Sequence, residues 1–152
     1  LNYRKYFKSN YKNLDPLEGI WTEYVVGTLY DAGKVIERKE IAKRARWIVI
    51  KNGSHYKVLN EYGEQNKFEA SFKYNRTKNS YIFNCLFIKT KDHIKVEAKL
   101  IDEKTIEMAY NAPKGVFEES YREFMLTDLV DGEQKELELF WQFSWLKTFP
   151  LN

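Results

Sequence analysis

The residue types that most often do chemistry are sparse in this chain and stand apart. The two histidines, His55 and His93, fall at the turns of different hairpins. Neither has a Cys or a second His beside it at metal-ligand spacing, so no metal site is expected. The single cysteine, Cys85, lies on the inward face of a strand, where it reads as a small buried hydrophobe rather than a nucleophile. With one cysteine no internal disulfide can form. Glu118, Glu119 and Glu123 read as the wet face of a helix rather than as an acid–base pair. "NRT" at 75–77 fits a glycosylation acceptor on a turn. No Gly-rich phosphate loop, nucleophile elbow or His-Glu-x-x-His is present, so the chain is expected to be non-catalytic and to need no cofactor.

What the chain does hold in quantity is aromatic side chains: 11 Tyr, 10 Phe and 4 Trp in 152 residues. Aromatic residues fit a pleated, half-buried surface and favour strands. The stretch "KELELFWQFSWLKTF" carries Phe140, Trp141, Phe143, Trp145 and Phe149. Such residues pack a sealed core or line a pocket. Tyr hydroxyls brought into an apolar interior tilt the reading to a pocket, because a few polar tips in an apolar cavity are the usual make-up of a ligand site. The predicted ligand-lining residues are Trp47, Phe72, Tyr74, Phe83, Tyr110, Trp141 and Phe143. Trp21, Trp145 and Lys147 are expected to pack one end of the fold.

The elements that must position them follow from periodicity. Tyr3, Tyr6, Phe7, Tyr11 and Leu14 recur at helical spacing, and Pro16 stops that pattern, so residues 1–15 read as an N-terminal helix or lead-in. Residues 16–152 read as one all-β domain. "GIWTEYVVGTLY" is a strand, and "VIERKEIAKRARWIVI" is one long bent strand or a loop followed by "RARWIVI". Asn52-Gly53 marks a hairpin. "HYKVLN", "KFEASFKY", "YIFNCLFIK", "IKVEAKL" and "TIEMAYN" follow as strands between short turns. In residues 113–128, Phe117, Tyr121, Phe124 and Met125 return to helical spacing, predicting a short helix before the last strand that lies across one barrel mouth. In the last strand Leu137, Leu139, Trp141, Phe143, Trp145 and Lys147 share a face.

About eight strands joined by short turns make an antiparallel meander. An eight-stranded up-and-down barrel removes both edges and leaves an interior that holds side chains or one small ligand. In a closed meander the first and last strands are antiparallel neighbours, which brings Trp21 to Lys147. An oligonucleotide-binding barrel, suggested by the aromatic and basic N-terminus, has five strands, so no nucleic-acid partner is expected.

"LEGIW", with Gly19-Ile20-Trp21 opening the first strand of that meander, resembles the Gly-x-Trp start of lipocalins, and residues 19–149 cover the same ground. It is also similar to the lipocalin-like domains of bacterial envelope proteins. The resemblance implies a barrel plugged at one end by the Trp, a lumen for a small apolar or amphipathic molecule, and an extracytoplasmic setting in the envelope or as a secreted protein. Lipocalins in general place their helix after the eighth strand and an Arg over the Trp. Here the predicted helix comes before it, and Lys147 stands in place of the Arg. "LTDL" at 126–129 is similar to the family's Thr-Asp element.

Charge adds little. The net charge is +3, with Arg4, Lys5, Lys8 and Lys12 at the start, seven basic residues against Glu37 and Glu40 in 34–51, and eight acidic residues in 118–138. These read as solvated faces, with a basic patch open to an anionic ligand or surface. No apolar run is long enough for a membrane-spanning helix. The chain does not begin with Met, which fits a trimmed form or a domain of something longer. A second reading, from a different class, is an accessory domain with a filled core that contacts an upstream domain or another protein.

Overall fold

The computed structural model describes residues 2–65, 67–113 and 137–151. Eight strands close into one antiparallel barrel in chain order. They are β1 (Gly19–Asp31), β2 (Lys34–Asn52), β3 (His55–Asn60), β4 (Phe68–Asn75), β5 (Ser80–Phe87), β6 (His93–Asp102), β7 (Thr105–Asn111) and β8 (Leu137–Phe149). The predicted helix at 113–128 falls almost wholly outside the described residues.

Alternation along each strand sets the interior. Trp21, Val25 and Leu29 from β1 meet Leu139, Trp141, Phe143 and Trp145 from β8 and Phe72, Phe83 and Cys85 from the far wall in one continuous core. The stretch with two sequence readings is one strand, β2, 19 residues long. Its pairing with β1 slips twice, once between Leu29 and Tyr30 and, more widely, between Glu23 and Val25. Glu23 pairs with Ala45 and Val25 with Ile41, so Tyr24 stands opposite Ala42, Lys43 and Arg44. This is a bulge, and Lys43 takes the left-handed backbone it requires, with φ 50°.

The seam between β1 and β8 runs from Ile20 to Asp31 and makes Trp21 the cross-strand partner of Lys147. The N-terminal helix α1 (Tyr3–Ser9) is capped by Asn2, whose Oδ1 accepts from Lys5 N at 3.1 Å. It packs on the outside of the barrel. Its fully buried Phe7 joins Ile20, Ile48 and Leu59, which point outward from β1, β2 and β3, in a second small core. Among the described residues, no helix is long and apolar enough to cross a membrane.

Candidate binding cavity

The barrel has a closed end, where β1 begins and β8 finishes. Trp21 is fully buried there, and its indole Nε1 donates to Leu17 O at 2.9 Å. Lys147 reaches over the same indole, 5.0 Å from the ring centroid, and donates from Nζ to Pro16 O at 2.6 Å. Burial lowers the Lys147 pKa, with Glu18 and Glu103 opposing the shift. The lead-in is tied down by Asp15, whose Oδ2 accepts from the Tyr56 hydroxyl at 3.1 Å and pairs with Lys51 Nζ at 2.9 Å. Glu18 is buried and accepts from the backbone N–H groups of Asp15 and Lys51. The carboxylates of Asp15 and Glu18, the Trp21 indole and the Lys147 ammonium are thus each partnered, as burial demands.

Toward the other end the described residues do not fill the interior. A cavity of about 640 Å³ lies between the walls and reaches the β3–β4 and β5–β6 connections, where Asn60, Glu64, Gln65, Lys67 and Lys89 line it. Its walls are largely aromatic. Tyr110 stacks on Phe143 with centroids 5.3 Å apart and on Trp141 at 6.0 Å. Trp47 stacks on Trp145 at 5.8 Å. Phe68 meets Trp47 and Phe87 edge-on.

A buried carboxylate sits in this aromatic setting. Glu23, 3% exposed, lies between Trp21 and Val25 on the inward face of β1. Its Oε1 accepts from the indole Nε1 of both Trp47, at 3.1 Å, and Trp145, at 3.0 Å. Its Oε2 is paired with Arg44 Nη1 at 2.7 Å. The Arg44 guanidinium also lies 5.4 Å from the centroid of Trp141. A carboxylate out of water is tolerated only when paired and fully hydrogen-bonded, and this one has a cation and two indole donors. The β2 bulge makes this possible: strict alternation from Trp47 would turn Arg44 outward, and the extra residues aim it at Glu23.

Neighbouring groups feel both burial and the carboxylate. Burial, then the Glu23 charge, pushes the Cys85 thiol from 9.0 up to about 12. Burial chiefly also raises the Tyr110 phenol well above its ordinary value, with Cys85 and Glu23 adding and Arg44 opposing. At neutral pH both are held in their neutral forms.

The structure separates the predicted lining residues. Trp47, Phe83, Tyr110, Trp141 and Phe143 line the cavity. Phe72 does not: it is fully buried beneath it, wedged edge-on against Trp145 at 5.7 Å and tilted on Phe83 at 5.1 Å. Tyr74 is not in the interior core either. It is 44% exposed, and its hydroxyl donates to Asn79 Oδ1 at 2.6 Å. Parity fixes a residue's face but not its height along the barrel. β4 carries Tyr74 to the closed-end rim, where it meets Tyr81. Height matters for Trp145 as well, expected at the barrel end with Trp21 and Lys147. It stands two residues further in and forms part of the cavity wall through its bond to Glu23.

Two residues of the site went unpredicted. Glu23 had a signal, a carboxylate at alternate spacing between Trp21 and Val25. Arg44 had none, because a bulge resets the alternation that would have located it. His55 and His93 open β3 and β6. Among the described residues no group of three or more His, Cys, Asp or Glu is placed to hold a metal ion. Comparison with family models, curated proteins and solved structures finds no match.

Proposed function

We propose that the protein is a non-catalytic, lipocalin-like barrel that takes a small apolar or amphipathic molecule into its lumen, in an extracytoplasmic setting. The observation that carries this reading is the cavity of about 640 Å³, set in a barrel whose other end is tightly plugged. Small-molecule sites are concave, mostly apolar and marked by a few placed polar groups, with volumes of roughly 300–1,000 Å³. Aromatic walls around Glu23, Arg44 and Tyr110 meet that description. The Gly19-Ile20-Trp21 start supports the family reading, with Trp21 plugging the end and a basic residue above it.

A non-catalytic role is supported by the state of the reactive groups. Glu23 is saturated by three donors, and the Cys85 thiol, at about 12, supplies almost no thiolate at neutral pH. The test is native mass spectrometry of purified protein, together with titration of the uncharged fluorescent probe phenylnaphthylamine. A co-purified small molecule, or saturable probe uptake with quenching of Trp emission, is the expected result. A chain that carries nothing and takes up no probe contradicts the carrier reading and favours an accessory domain that contacts another protein.

A further inference from the structure

We propose that the molecule held in the cavity is an amphipathic anion, with its apolar body on the aromatic walls and a carboxylate- or sulfonate-like head at Arg44. This rests on the carrier reading and narrows it to a chemical class.

Arg44 lines the cavity, and its guanidinium lies against two other lining residues, Glu23 and Trp141. It is fixed from two directions, by Glu23 Oε2 at 2.7 Å and by the face of Trp141 at 5.4 Å. A guanidinium already held in one geometry loses little freedom when a ligand arrives, and its fork of N–H donors suits an oxyanion.

Glu23 acts as a positioning residue. Both its oxygens are engaged, Oε1 by two indoles and Oε2 by the guanidinium. A cationic ligand would have to break one of these bonds to reach the carboxylate, whereas an anion can approach Arg44 and leave them in place. The mouth adds to the preference. Lys67 and Lys89 line it with Glu64, so among the described residues the cationic lining side chains are Arg44, Lys67 and Lys89 and the acidic ones Glu23 and Glu64. Lys67 and Lys89 favour the approach of an anion from the β3–β4 and β5–β6 side.

The test compares two probes with one apolar body, anilinonaphthalene sulfonate and uncharged phenylnaphthylamine. The unaltered chain should bind the sulfonate more tightly by roughly tenfold or more, the scale of a charge-assisted contact. In the variant Glu23→Gln/Arg44→Met, which removes both charges together, that ratio of affinities should collapse. If this variant does not fold, Arg44→Lys, which keeps the charge and loses the fork, should lower the ratio. Tighter or equal binding of the neutral probe by the unaltered chain overturns the proposal and leaves the carrier reading standing. So does a ratio that survives the substitutions. Failure to bind either probe removes the carrier reading and this proposal with it.

Discussion

Gly19 carries a backbone φ of +146°, and a Cβ placed on it would lie 2.5 Å from Phe149 O. The first residue of the Gly-x-Trp start is therefore a glycine for two separate reasons, conformation and the close approach of β8. Gly19→Ala should destabilise the protein by about 2 kcal/mol or more, read as a lower denaturant midpoint with an unchanged slope. Trp21 and Lys147 were legible in the sequence because strand order and parity alone bring them together. Glu23 was legible by the same rule, as a charge on an inward face. Arg44 was not, since two extra residues in β2 change which way it points. Tyr74 and Phe72 show the matching limit: alternation assigns a face, while the distance from the barrel's end decides between cavity, core and rim.

The elements themselves were largely written in periodicity. Clean alternation in "IKVEAKL" and "KFEASFKY" became β6 and β4, and helical spacing near the start became α1. What periodicity could not tell was where α1 docks. It covers the outer face of β1–β3, because Ile20, Ile48 and Leu59 leave an apolar patch there that Phe7 fills. Removing that ring leaves a void over three strands. Phe7→Ala should therefore lower stability by about 3 kcal/mol, by equilibrium unfolding. Because Phe7 packs outside the barrel, the same variant should bind phenylnaphthylamine as the unaltered chain does. Loss of probe uptake would mean that α1 and the cavity are coupled. The stretch that became β2 had two sequence readings, and the bulge at 42–44 explains why: its local pattern is that of a break, although pairing continues on both sides.

For the molecule as a whole, strand count and short turns implied closure, and the barrel is closed. Whether its lumen was open or filled was not legible, since the same aromatic residues serve either outcome and volume depends on how their rings tilt. At one end Leu17, Trp21 and the tied-down lead-in fill the interior. Beyond them a cavity of about 640 Å³ remains. Filling it is the most direct test of the account. Ala70 is buried on β4 and lines the cavity, so Ala70→Phe would place a ring in that space. Overpacking a full core costs roughly 1–3 kcal/mol, whereas a ring entering an existing void adds contacts. The measurement is phenylnaphthylamine affinity beside the melting temperature of the variant. The account predicts that probe binding weakens at least tenfold while the melting temperature holds or rises. Unchanged probe affinity in a well-folded Ala70→Phe chain would place the probe outside the lumen and contradict it.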